Sequence, residues 1–249
     1  CGTFLATGTY FEPSLYENPT IDGRNGALII RSGVYDGEQF HEFDHLTVRE
    51  STAHSFFKGD SYLHPWDGVT EPTFKLGPNA QGTKTNIKAV DENAKYSWLK
   101  APRWKGNAME VGPLARYVIG YAMGRDDIKG PTDELLGELD LPVTALFSTL
   151  GRTAARGLEC SWAAHKMRFV FDAMMANLKA GDTATANMDL WEPASWPAQA
   201  KGVGMAEAPR GALGHWIKTK DTKIDSYQAI VPSTRNASPR DPAGNIGAY

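Results

Sequence analysis

The longest stretch of helix-like patterning runs from residue 143 to residue 180. Val143, Leu146, Phe147, Leu150, Ala154, Leu158, Trp162, Phe169, Ala173 and Leu178 recur at steps of three, four or nearby multiples, and Gly181 supplies a stop. Gly151 and Gly157 mark points where this helix bends or a neighbour comes close. Glu110 to Tyr121 reads as a second helix. A third opens at Pro131-Thr132, with Asp133 and Glu134 favourable in its first turn and Leu135, Leu136 and Leu139 as its apolar face. From Asp44 to Phe57 the apolar positions Leu46, Val48, Ala53, Phe56 and Phe57 follow helical spacing loosely, and helix is the expectation.

Strand signals are shorter. Ala27 to Ile30 is one. Val34-Tyr35, Asp36-Gly37 and Glu38-Gln39-Phe40 form a hairpin pattern, because Asp-Gly tolerates the positive φ of tight turns. Leu213–Lys218 and Ile224–Val231 form a second hairpin, which Pro232 ends. Residues 1–26 and 233–249 read as loops. Residues 58–108 are the least regular part, with turn-formers at His64-Pro65-Trp66-Asp67-Gly68 and Glu71-Pro72 and a polar tract from Lys75 to Lys95. A connection of that length is usually functional or docked on something. Together these elements predict an α+β, helix-dominated fold with long core helices and small β-hairpins.

The 249 residues carry 26 Lys+Arg against 29 Asp+Glu, a net charge of −3, and 41% are apolar. That balance argues against disorder, and without a basic block it argues against a nucleic-acid partner. No apolar run approaches the ~20 residues of a membrane helix. Gly 25 and Pro 15 imply many turns and long connections. Two cysteines, Cys1 and Cys160, sit in no CxxC pair, which excludes a disulfide framework or a cysteine-rich metal site built from this stretch alone. Cys160 falls on the long apolar helix face and is expected to be a small buried hydrophobe. The six histidines show no metal-ligand spacing with a third ligand nearby. With no initiator Met, basic leader or cleavage pattern, residues 1–249 read as an internal fragment of one larger domain, truncated at both ends.

Three segments carry candidate chemistry. Glu207-Ala208-Pro209-Arg210-Gly211 sets an arginine between a rigid and a permissive residue just ahead of a strand. That arrangement aims a guanidinium into a site, or serves a salt bridge to Glu207 or another carboxylate at a strand edge. Tyr227-Gln228-Ala229-Ile230-Val231-Pro232-Ser233-Thr234 ends a strand with proline and two hydroxyls, as a binding loop or a plain Ser/Thr turn. Arg152 and Arg156 lie four apart on one helix face, able to hold a carboxylate or a partner subunit, or forming a solvated or internally paired helix face. A Ser233 hydrolase triad is disfavoured, since G-x-S-x-G is absent.

Taken in order, Met109-Glu110-Val111-Gly112-Pro113-Leu114-Ala115-Arg116, Gly151 to Glu159, Glu207 to Gly211 and Val231 to Thr234 resemble the large subunit of nickel–iron hydrogenases. His64 to Gly68 and Trp98-Leu99-Lys100-Ala101-Pro102-Arg103 add to the match, which covers nearly the whole chain and looks closest to the membrane-bound uptake group. The resemblance implies a catalytic subunit that oxidises H₂ to protons and electrons and passes the electrons to an iron–sulfur small subunit and a membrane cytochrome b, on the periplasmic side of the cell membrane. It implies a nickel–iron centre with cyanide and carbon monoxide ligands, held by four cysteines that this stretch does not contain, and a Mg²⁺ site.

Carried over by position, Arg210 is the implied catalytic residue over the open coordination position, and Pro209, Pro232 and Ser233 line the pocket around the iron's diatomic ligands. Ala229 supplies a backbone carbonyl to Mg²⁺. A hydroxyl suits cyanide, a hydrogen-bond acceptor, while apolar walls suit carbon monoxide. The family usually has Trp after the Ser-Thr pair, whereas this chain has Arg235. The alternatives are an H₂-sensing regulatory hydrogenase subunit and the homologous quinone-site subunit of respiratory NADH:quinone oxidoreductase, which has no nickel.

Overall fold

Phe4–Phe11 pairs antiparallel with Leu28–Tyr35, so these become strands β1 and β2 of a sheet, completed by Phe40–His41 (β3). The computed structural model describes residues 2–11, 28–59, 62–72, 95–186, 188 and 191–249. The loop expected over the N-terminus is therefore corrected within its described part. Alternation explains why: Phe4 faces one apolar cluster with Leu114 and Val118, and Leu5 faces another with Trp104 and Ala212. The Asp36-Gly37 hairpin stands as expected, with Asp36 Oδ1 accepting from the backbone N–H of Glu38 and Gln39 at 2.9 Å each. Ala27, most of residues 1–26 and nearly all of the Lys75–Lys95 tract lie outside the described residues.

The helix expected over Asp44–Phe57 is replaced by a short 3₁₀ turn at His45–Thr47 and strand β4, Val48–Ser51. Asp44 caps the turn, and the strand then pairs with Ala101–Trp104 (β5), from Val48 opposite Trp104 to Ser51 opposite Ala101. A partner strand some fifty residues away overrides loose helical spacing. Residues 64–68 do form a turn, closed by the N–H groups of Asp67 and Gly68 donating to the His64 carbonyl.

Helix α1 is Pro113–Ala122, a nearly all-buried element behind the Gly112 break, and α2 is Asp126–Glu138. The start expected at Pro131 is thus displaced. Asp126 and Asp127 open the helix, and Pro131 sits inside it at the cost of one intrahelical bond. Of the expected apolar face, Leu136 is buried and Leu139 is exposed.

A 3₁₀ segment, Val143–Phe147, leads into α3, Thr149–Lys179, whose first turn is capped by Ser148 Oγ accepting from Gly151 N at 3.0 Å. The long helix is as expected, and so is the close approach at Gly151, where a Cβ would lie 2.2 Å from the Leu146 carbonyl oxygen. Burial is not as expected. Only Gly151 and Ala155 of α3 are buried, Met167, Val170, Phe171 and Met174 are exposed, and Cys160 is exposed rather than interior.

The second hairpin is longer than its pattern. Gln199–Ala208 (β6), Gly211–Lys220 (β7) and Lys223–Ile230 (β8) make one antiparallel sheet in sequence order. Pro232–Asn236 follows as a short helix, α4, where loop was expected. The remaining tail folds back on β5: the fully buried Arg103 donates to Asp241 Oδ2 at 2.7 Å, Ser238 Oγ at 2.9 Å and the Asn245 carbonyl at 2.9 Å. No described helix is long and apolar enough to cross a membrane.

Candidate functional site

Pro209 and Arg210 form the turn of the β6–β7 hairpin, between the paired residues Ala208 and Gly211. Gly211 has φ +129°, and a Cβ there would lie 2.5 Å from the Gly112 nitrogen. Only glycine permits this turn to press on the start of α1.

A buried charge network holds the turn from beneath. Arg116, in the first turns of α1, donates from Nη1 to Glu207 Oε2 at 2.7 Å and to the Ala208 carbonyl at 3.2 Å. Its Nε and Nη2 bond Glu159 of α3 at 2.5 and 2.7 Å, and Nη2 reaches the Pro209 carbonyl at 3.3 Å. Glu207 Oε1 accepts from the Thr7 N–H at 2.6 Å and the Thr7 hydroxyl at 3.1 Å. Burial pushes the Glu207 carboxyl up, while Arg116 and Thr7 hold it down. One guanidinium thus ties β1, α1, α3 and β6 to the backbone beside Arg210.

Arg210 itself is exposed and makes no ion pair among the described residues. It lines a cleft of roughly 250 Å³ with Gly112, Arg152, Arg156, Pro209 and Asn236. The salt bridge to Glu207 weighed from sequence is not formed, because Arg116 takes that carboxylate. Arg152 is paired to Glu110 by two bonds of 2.7 and 2.6 Å, and Arg156 bonds the Arg152 carbonyl at 3.0 Å. Asn236 of α4 clamps Val111 from both sides, accepting from its N–H and donating to its carbonyl at 2.9 Å each.

The structure joins Pro209 and Arg210 in this cleft but leaves Pro232, Ser233 and Ala229 outside its lining. Pro232 is buried at the start of α4, and Ser233 is exposed one turn before Asn236. Ala229 lies on β8 opposite His215. Its neighbour Gln228 donates to Glu50 Oε1 at 3.2 Å, and the buried Glu50 keeps Oε2 without a partner. Among the described residues no group of three or more His, Cys, Asp or Glu is placed to hold a metal ion.

Sequence reasoning missed Arg116, Glu207 and Asn236 as the frame of the site. One signal was present: Arg116 is a single charge inside the apolar run Pro113-Leu114-Ala115-Arg116-Tyr117-Val118-Ile119. A charge buried in such a run needs a partner.

The profile of the nickel-dependent hydrogenase family matches residues 1–249. The chain belongs to that family. It is 63% identical over 227 residues to an uptake hydrogenase large subunit from Bradyrhizobium diazoefficiens, a match covering 88% of this chain and 38% of that protein. It is 53% identical over 218 residues to the hydrogenase-1 large chain of Escherichia coli, covering 87% and 35%. Among solved structures, the Ni-Fe-Se hydrogenase of D. vulgaris Hildenborough in the reduced state superposes with a TM-score of 0.66 at 30% identity, over 99% of this chain and 45% of that one. This hydrogenase-family chain therefore spans about two fifths of the length of the curated relatives it matches. Its small antiparallel sheets and helices are those of an α+β fold, as the sequence implied.

Proposed function

We propose that these residues form part of the catalytic large subunit of an uptake hydrogenase, which oxidises H₂ and passes electrons through an iron–sulfur small subunit to a membrane cytochrome b at the periplasmic face of the cell membrane. The observation that carries this reading is Arg210: an exposed guanidinium without an ion pair, on a turn clamped by the Arg116 network, in a chain that matches the family throughout. A buried frame of this kind fixes the backbone that presents a side chain while leaving that side chain's charge unspent.

The residues present fit a nickel–iron centre with cyanide and carbon monoxide ligands. Arg210 and the exposed Ser233 hydroxyl have no partner among the described residues, so both remain available, and the buried Pro232 beside Ser233 offers an apolar wall. Residues 1–249 do not themselves carry four cysteine ligands for such a centre. When bound, the centre supplies the electrophilic site for heterolytic splitting of H₂. Arg210 would present a positive charge toward such a centre, where it would stabilise the charge that develops as H₂ is split. Ser233 would donate a hydrogen bond to a cyanide ligand, and Pro209 and Pro232 would supply apolar surface to a carbon monoxide ligand. For Mg²⁺, Ala229 would offer its carbonyl, and the Glu50 carboxyl that accepts from the neighbouring Gln228 would be the nearest acidic oxygen donor the structure gives it.

The test is H₂-dependent dye reduction by the full-length subunit assembled with its small subunit, read beside its nickel content. About one nickel per chain with H₂-dependent reduction is expected. A nickel-free protein that reduces quinone from a different donor would overturn the proposal.

A further inference from the structure

Arg235 is buried in the short helix α4, two residues after Ser233. It is 2% exposed. Its Nε and Nη2, the two nitrogens along one edge of the guanidinium fork, have no hydrogen-bond partner among the described residues. The carboxylates that feel its charge are Glu50 and Glu207. Glu207 is committed to Arg116 and Thr7. Glu50 is held through Oε1 by Gln228, and it shares its charge with the buried Lys100. Arg235 itself makes no ion pair among the described residues, and these carboxylates act on it only through space. Burial pulls the Arg235 guanidinium down to about 10, and it stays protonated at neutral pH.

We propose that Arg235 tunes the metal centre electrostatically: its buried positive charge, held in no ion pair among the described residues and two residues from Ser233, raises the potential at which the centre is reduced. The proposal rests on the reading of the site given under Proposed function. Reduction adds negative charge, and a cation shielded from solvent favours the more negative state with little screening by salt. A unit charge about 10 Å away at an effective dielectric constant of about 20 moves such a balance on the order of tenfold. Arg235 acts through space and touches neither substrate nor reacting atoms, so it is a positioning residue for charge.

The test uses the full-length enzyme assembled with its small subunit. Nickel content and the infrared stretching bands of the iron-bound cyanide and carbon monoxide are followed during a redox titration. In Arg235→Gln and Arg235→Trp, the ratio of reduced to oxidised centre at a fixed potential should fall about tenfold and the bands should move to lower wavenumber. Arg235→Lys, which keeps the charge, should stay within about twofold of the wild type. The Trp variant suits a buried slot and is read where the Gln variant does not assemble. Neutral variants with full nickel and unmoved ratio and bands overturn the tuning role while leaving the site reading intact. So does a Lys variant that shifts as far as Gln. A wild-type enzyme without iron-bound diatomic bands overturns the site reading itself, and the proposal with it.

Discussion

Arg116 and Glu207, 91 residues apart in sequence, meet at 2.7 Å with side chains 6% and 1% exposed, and this pair anchors the turn that presents Arg210. Breaking a buried pair by removing one partner leaves an uncompensated charge and costs about 3–5 kcal/mol. Arg116→Met is therefore expected to destabilise the subunit strongly. The double variant Arg116→Met/Glu207→Leu should recover part of that loss, since it removes the fully buried carboxylate and leaves only the partly exposed Glu159 without its partner. Thermal unfolding followed by tryptophan fluorescence decides it. Equal stability of the single and double variants would mean that the pair is not coupled.

Arg103 is the hub of the C-terminal tail, donating to Asp241, Ser238, the Asn245 carbonyl and the Pro239 carbonyl. Burial alone would raise the Asp241 carboxyl, yet the Arg103 bond and the Asn245 N–H outweigh it and hold the group below its usual value. Arg103→Ala should release residues 238–249 from β5. Limited proteolysis should then cut within 238–249 at least tenfold faster than in the wild type, while α1 stays protected. An unchanged cleavage rate would refute this anchoring role.

His45 and His64 form a pH-sensitive corner. His64 Nδ1 accepts from the Trp66 N–H at 3.2 Å, and His45 Nδ1 accepts from Trp216 Nε1 at 3.4 Å, so each ring uses a lone pair that protonation would remove. Burial lowers both below the usual 6.5. Asp44 opposes this at His45, and the His45 carbonyl opposes it at His64. With folded values below unfolded ones, the unfolded chain binds more protons. This contribution to stability is complete above about 6.5 and is lost as pH falls through the folded values. The melting temperature should drop between about pH 7.5 and 5.5, and His64→Gln should drop less over the same window. Equal pH slopes in the two proteins would exclude the His64 contribution.

The elements legible in sequence were those whose signals are local. The Asp36-Gly37 turn, α3 with its Gly151 contact, and the β7–β8 hairpin each follow from neighbouring residues. Residues 44–57 were misread because β4 is defined by its partner β5, and that pairing leaves no trace in nearby spacing. β1 was lost among the Gly and Thr of its segment, although it buries Phe4 and Leu5. Periodicity places Cys160 in the interior, yet it is exposed. Periodicity marks an apolar face without saying what covers it, and α3 exposes most of its apolar residues here. At the site, Arg210 was visible from its Pro and Gly neighbours. Its frame joins Thr7, Arg116, Glu159 and Glu207, and only folding brings those positions together.

The most direct measurement of the central claim, that Arg210 acts at a metal centre that oxidises H₂, is turnover per bound nickel in Arg210→Lys of the full-length enzyme. Lysine keeps the positive charge but loses the planar fork and the fixed position of that charge. Nickel incorporation and subunit assembly should stay near wild type, because the Arg116 network that holds the turn is untouched. H₂ oxidation per nickel should fall about a hundredfold or more, equivalent to ~2.7 kcal/mol of transition-state stabilisation. Near-wild-type turnover per nickel in the Lys variant would contradict the account and remove Arg210 from the site.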